Sequence, residues 1–218
     1  GLTAALDASN ATSYPGTGTK WSDLSGNNNH VELVASPGFD ATGPKSFTFN
    51  GTSQYGVFQN TGGAIPDLLN KSAYTKLVWF KPQGFDDNNN LVSASGNNAH
   101  ALWGGGNKAE CTQTGDNLAS GHNGQWLEVQ SDTCLETEWQ MIAVSFASAS
   151  SDENTGWRMY QNGDLVGSSD IVNEISVAND GYLTRIASYG TGYFFEGQLA
   201  RVYIYDRAIT ATEVDQIF

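Results

Sequence analysis

With 6 Trp, 9 Tyr and 10 Phe among 218 residues, the chain can build one large core, yet it has no apolar run near the roughly 18 residues a membrane-spanning helix needs. A net charge of −13, with only 10 Lys+Arg, tells against nucleic acid as a partner, because phosphate binding needs basic surface. Long Leu/Ala/Glu/Lys stretches are missing, which tells against a helical bundle, and 25 Gly recur with Asn, Ser, Thr and Asp between short apolar runs.

In chain order, Leu2–Leu6 is predicted as a first strand, followed by a compact loop, Trp21-Ser-Asp-Leu-Ser-Gly-Asn-Asn-Asn-His30, and a strand at Val31–Val34. Ser46–Phe49 and Tyr55–Phe58 flank Asn50-Gly51 and read as a hairpin, since Asn-Gly between apolar runs is a strong turn signal. Tyr74–Phe80 is a strand ended by Lys81-Pro82. Leu91–Ser95, Ala99–Trp103, Asn117–Gly121 and Trp126–Gln130 are shorter strands, and Trp139–Phe146 is apolar enough for a central one. Trp157–Tyr160 and Leu165–Ser168 flank a second hairpin signal at Asn162-Gly163. Tyr182–Ala187 and Gly197–Tyr205 bring the total to about thirteen strands. Thr210-Ala-Thr-Glu213 then forms a capping box that opens a helix of barely two turns.

Antiparallel strands in this number must stack or close to hide their edges, and the missing blade-length repeat sets aside a propeller. The expected fold is all-β: a single domain, residues 1–218, built as a two-sheet antiparallel jelly-roll sandwich with a short C-terminal helix. Cys111 and Cys134 show no zinc-type spacing and can bridge neighbouring strands, a link worth roughly 3 kcal/mol in the loop-entropy view. Such a disulfide favours an exported protein, extracellular or at a cell surface. The start at Gly1 without a signal peptide is expected of a monomeric domain excised from a larger protein.

Four stretches carry a family likeness. They are Leu6-Asp7-Ala8-Ser9 with Trp21-x-Asp23-Leu-Ser-Gly26-Asn-x-Asn29-His30, and Phe47-x-Phe49-Asn50-Gly51-Thr-x-x-Tyr55. The third is Trp139-x-Met-Ile-Ala-Val-Ser-Phe146 with Met159-Tyr160-x-Asn162-Gly163, and the fourth runs from Gly197 through Val202-Tyr-Ile-Tyr205-x-Arg207-Ala208 to Glu213-Val214. In this order the sequence resembles the laminin-G-like, concanavalin A-like jelly-roll domains of large secreted proteins. That resemblance implies the fold; it does not choose among the lectins, peptide binders, glycosidases and lyases that share it. It also implies that ligands and calcium sit on rim loops or on the concave sheet, as in ligand-binding modules of large bacterial adhesins. Residues 85–137 show no family pattern and therefore hold the candidate site.

Catalysis is not expected. Glycosidases on this fold place three carboxylates on one strand face as E-x-D-x-x-E. The near match here, Glu213-Val-Asp215-Gln-Ile-Phe218, falls in the helix and ends in Phe. Lyases of related shape need an Arg, Gln, His and Tyr set, and His30, His100 and His122 stand in no matching motif. His122, in Gly-His-Asn-Gly, reads as a turn residue or a ligand contact.

Calcium is the expected cofactor. Asp86, Asp87, Asn88 and Asn90 pack oxygen-bearing side chains into one loop, with Asn97 and Asn98 in a second loop that a hairpin through Leu91–Ser95 brings near. Leu91 where the turn Gly belongs, and Asn97 where a bidentate Glu belongs, exclude an EF-hand. The bland reading is a solvated turn of turn-prone residues. A third oxygen-rich loop, with Asp23, Asn27 and Asn29, reads as family framework.

Recognition falls to Trp103-Gly104-Gly105-Gly106-Asn107, an aromatic face beside bare backbone, with His122, Trp126, Tyr189 and Tyr193 extending it. Trp21, Trp79, Trp139 and Trp157 fall in strand patterns and read as core. Together these features predict a calcium-dependent adhesion module that binds an extracellular glycan or peptide. The competing readings are a polysaccharide-active enzyme and a structural spacer domain.

Overall fold

The computed structural model describes residues 1–59, 72–83, 90–93, 101–104, 118–122, 124–129, 138–148, 155–174, 184–190 and 192–218. Its strands, numbered in chain order, begin with β1 (Leu2–Asp7), β2 (Lys20–Trp21), β3 (Val31–Val34), β4 (Gly38–Asp40), β5 (Ser46–Asn50) and β6 (Tyr55–Phe58). The middle of the chain supplies β7 (Ala73–Pro82), β8 (Val92–Ser93), β9 (Leu102–Gly104), β10 (Leu118–His122) and β11 (Gln125–Val129). The last are β12 (Gln140–Ala147), β13 (Gly156–Gln161), β14 (Asp164–Ser169), β15 (Arg185–Ile186) and β16 (Glu196–Tyr205), before the helix α1 (Ala211–Ile217).

The first layer is one antiparallel sheet in the order β14-β13-β12-β7-β16-β5-β4, with β1 also paired to β16. The second layer holds β2-β3-β6-β15-β8 and, beside it, β11-β10-β9. Leu91, just before β8, stitches these two parts together: its N donates to Leu102 O at 2.8 Å, and its O accepts from Ala187 N at 3.0 Å. The non-sequential order and the two stacked layers are those of a jelly-roll sandwich.

Alternation along each strand fills the gap between the layers. Tyr74, Val78 and Phe80 of β7, with Ile142, Val144 and Phe146 of β12, meet Val31, Leu33, Phe58, Leu102, Leu118 and Ile186 of the other layer, all buried. The opposite face of the first sheet carries a smaller core, Leu77, Met141, Ala143 and Tyr160, which Ile209 and Val214 of the helix segment cover. The capping box forms as expected: Glu213 N donates to Thr210 Oγ1 at 3.1 Å, and Thr210 N donates to Glu213 Oε2 at 2.9 Å.

The two Asn-Gly signals part company. Asn162-Gly163 closes the β13–β14 hairpin with φ of 50° and 92°, the pair of positive values a type I′ turn requires. Asn50-Gly51 does not close a hairpin, which corrects the sequence expectation: β5 pairs with β4 and β16, whereas β6 pairs with β3 and β15 in the other layer. The reason is local. Asn50 Oδ1 accepts from the amides of Thr52, Ser53 and Gln54 at 3.0, 3.0 and 3.2 Å, so the loop closes on its own side chain and crosses between sheets.

The Asp23 loop is framework, as expected. Its carboxylate accepts from Ala5 N at 2.8 Å, Ser25 N at 2.9 Å, Asn29 N at 3.0 Å and Ser25 Oγ at 2.7 Å. Asn27 and Asn29 point their amides at the carbonyls of Leu2 and Thr3. One loop thereby pins the first strand.

Candidate ligand-binding rim

The segment after β15 returns sharply into β16. Phe195 N donates to Ala187 O at 3.0 Å, and Tyr189 and Gly192 exchange backbone hydrogen bonds at 3.1 Å in each direction, so the excursion is a small closed loop at the edge of the sandwich. Side chains from beneath hold it. Arg185 Nη1 donates to Gly190 O, and Ser93 Oγ donates to Ser188 O. Tyr55 supports the same loop from β6, its ring 6.2 Å from Phe194 and under the Arg185 guanidinium at 4.6 Å.

Tyr193 crowns the loop. It is 52% exposed and sits at φ 52°, a left-handed conformation that a bulky residue adopts only where its surroundings impose it. Its ring lies 6.0 Å from that of Tyr189 at an interplanar angle of 56°. Its carbonyl accepts from Asn90 Nδ2 at 3.4 Å, and Asn90 forms a β-bridge with Trp103 of β9. Trp103 is half-buried. Four residues singled out separately in the sequence, Asn90, Trp103, Tyr189 and Tyr193, thus meet at one rim.

Two candidates do not belong there. Gly104 is buried, and a Cβ on it would stand 2.9 Å from Leu91 Cδ1 and 3.1 Å from Phe80 Cε2; it is glycine because strands pack closely, which corrects the bare-backbone reading. His122 is neither a turn residue nor an exposed contact: it ends β10, fully buried, with Phe146 and Trp157 at ring distances of 4.1 and 5.4 Å. Trp126 pairs in register with Gly121 on β11. Asp86, Asp87, Asn88, Asn97, Asn98, Gly105, Asn107, Cys111 and Cys134 lie outside the described residues. Among the described residues, no three of His, Cys, Asp or Glu gather as a metal-binding group.

A buried polar cluster escaped the sequence reading. Lys76 points into the core from β7, its Nζ 3.4 Å from Ala101 O and 5.6 Å from the Tyr74 ring centroid. Burial pulls its pKa down to about 7. Tyr74 Oη lies 3.0 Å from His122 Nδ1, and His122 Nε2 lies 2.8 Å from Asn173 O. A carbonyl can only accept, so Nε2 carries the proton and Nδ1 takes the Tyr74 hydroxyl hydrogen. Burial lowers the His122 pKa, the Asn173 carbonyl raises it and the Lys76 charge lowers it again; burial raises that of Tyr74. The period-2 register of Tyr74, Val78 and Phe80 already places Lys76 on the inward face. All three side chains are fully buried between the layers.

The strand order and the two stacked layers define a concanavalin A-like β-sandwich. A laminin-G family model, described as the concanavalin A-like lectin/glucanases superfamily, matches residues 50–215, and the chain belongs to that superfamily. Solved structures share the fold at low identity. Domain 4 of a Geobacillus stearothermophilus extracellular arabinanase, in complex with arabinotriose, aligns with a TM-score of 0.70 and 16% identity over 99% of this chain and 97% of that one. The binding domain of botulinum neurotoxin DC in complex with SialylT aligns at 0.67 and 11% identity over 99% of this chain. A Trypanosoma rangeli sialidase in complex with sialic acid aligns at 0.59 and 13% identity over 98% of this chain. The chain spans 50% of the toxin chain and 32% of the sialidase chain. A search of curated proteins finds no match. Among the described residues, no helix is long and apolar enough to cross a membrane.

Proposed function

We propose that this domain is a non-catalytic glycan-binding module of an extracellular or cell-surface protein, serving adhesion, and that the sugar docks on the rim of Asn90, Trp103, Tyr189 and Tyr193. The observation that carries the reading is Tyr193: a large aromatic held exposed, in a left-handed backbone, by a loop braced from below. Aromatic faces stack against the C–H faces of sugar rings, and pre-positioning them lowers the ordering cost of binding. Support also comes from the neighbours, whose solved complexes include arabinotriose and SialylT.

Glycan arrays, with a peptide array beside them, test the reading. Tyr193→Ala is expected to weaken the best glycan hit about fivefold, the value of ~1 kcal/mol for one aromatic contact, with little change in melting temperature. Unchanged affinity in that variant, or hits on the peptide array alone, would sink it. A polysaccharide-active enzyme would instead release reducing ends or unsaturated sugar from its substrate.

The same reading assigns calcium to Asp86, Asp87, Asn88, Asn90, Asn97 and Asn98, where the ion would also accept ligand oxygens. The expected result is a higher melting temperature in calcium than in chelator, abolished in the Asp86→Ala/Asp87→Ala double variant. A wild-type melting temperature indifferent to calcium would remove the ion from the mechanism and leave the aromatic rim.

A further inference from the structure

We infer that Arg185 and Tyr55 are positioning residues of the rim. Stacked on each other, they clamp both arms of the loop that presents Tyr189 and Tyr193, and so set its affinity for sugar without touching the ligand; this rests on the glycan-binding reading above. Their placement follows from register. Arg185 of β15 stands opposite Ser93 of β8 and Val57 of β6, and Tyr55 lies two residues before Val57, so period-2 alternation puts Ser93, Arg185 and Tyr55 on one face. The residues beside them, Ile186 and Val92, belong to the core.

These three side chains hold the loop at successive points. Ser93 Oγ donates to Ser188 O, Arg185 Nη1 donates to Gly190 O, and the Tyr55 ring lies 6.2 Å from that of Phe194. The held residues flank the presented aromatics: Ser188 and Gly190 bracket Tyr189, and Phe194 follows Tyr193. Arg185 joins the two arms. Its guanidinium lies over the Tyr55 ring, Cζ to centroid 4.6 Å, while Nη1 reaches Gly190. A flat, delocalised cation can stack by its face and donate by its edge at once, whereas an ammonium is a compact point charge. One side chain therefore fixes the first arm directly and the second through Tyr55. The loop needs this constraint. Ala187 and Tyr193 sit at φ of 64° and 52°, which residues with a side chain keep only where their surroundings over-determine them. Released, Tyr189 and Tyr193 would lose their mutual 6.0 Å arrangement, and a sugar would have to reorder them on binding.

The test takes the best glycan-array hit of the wild type and measures its affinity for variants by calorimetry. Arg185→Lys and Tyr55→Leu are each expected to weaken binding about tenfold, the ordering cost of two released aromatic side chains. Tyr55→Phe, which keeps the ring, is expected to restore most of what Tyr55→Leu loses. Because both residues act through one stack, the Arg185→Lys/Tyr55→Leu double variant should also lose about tenfold, and not about a hundredfold. Backbone amide relaxation gives a readout that general destabilisation would not move. In Arg185→Lys the order parameters of Gly190 and Phe194 should fall below about 0.6, while those of β7 and β16 stay at about 0.85. Wild-type affinity in Arg185→Lys, losses that multiply in the double variant, or loosening that spreads to β7 and β16 would each overturn the inference and leave glycan binding standing. A wild type that binds no glycan would overturn the glycan reading on which the inference rests.

Discussion

Asp23→Ala is expected to cost about 3 kcal/mol of folding stability, roughly 1 kcal/mol for each backbone amide it orphans. The carboxylate accepts from three amides on separate parts of the chain, those of Ala5, Ser25 and Asn29, and it also takes the Ser25 hydroxyl. Ala5 lies on β1, in register with Tyr203 of β16, so the loop's grip on the first strand extends to β16, an interior strand of the first sheet beside β7. Asp23 is half-buried, so water can reach some of these amides after the change, and the loss sits at the low end for orphaned groups. Asp23→Asn keeps one acceptor oxygen and should recover about half. Urea unfolding of the three proteins at one pH measures this. An alanine variant within about 0.5 kcal/mol of wild type, the range of ordinary surface changes, would show that the loop does not pin β1.

Much of the framework was legible because its signals are local. Thr210 and Glu213 lie three residues apart and cap the helix whatever the rest of the chain does. Asn162-Gly163 joins strands that pair with each other, so dipeptide and topology agree. Asn50-Gly51 carries the same letters, but there the side chain captures three following amides, and the partners of β5 and β6 come from far along the chain. No window around residue 50 reveals that.

The rim was legible in its parts and not in its assembly. Tyr189, Tyr193 and Trp103 stand out as aromatics beside glycines, while their meeting depends on Asn90, which bridges β9 and the distant loop. Gly104 shows the limit from the other side. A glycine in sequence marks a close approach without saying what approaches, and here it is Phe80 and Leu91. His122 looked like a turn residue because small and polar neighbours surround it, yet pairing with Gln125 carries the strand through it. Arg185 gave no signal, since its role lies in two contacts made across the sheet to Tyr55 and Gly190.

Lys76→Met is expected to stabilise the protein, and by more in mild acid than in alkali. In the unfolded chain the ammonium titrates near 10.5, while burial brings the folded value to about 7. Between those values the unfolded state binds the extra proton, so wild-type stability rises with pH across this window; below about 7 both states are protonated and the full cost of the buried charge remains. The ceiling on that cost is on the order of 5 kcal/mol, at 1.36 kcal/mol per pKa unit, and core relaxation together with the Ala101 carbonyl reduces it. A gain of about 2 kcal/mol at pH 6, or ~4–8 °C in melting temperature, is the expected outcome, shrinking toward zero near pH 10. His122, stacked near Tyr74, titrates in the same cluster with its pKa lowered, so it adds an acid-side loss below its ordinary range. That loss is common to wild type and variant and largely cancels in their difference. Thermal unfolding of both proteins from pH 6 to 10 provides the measurement. A gain that does not depend on pH would mean Met acts through packing alone; a loss at pH 6 would mean the ammonium stabilises the core by hydrogen bonding more than its burial costs.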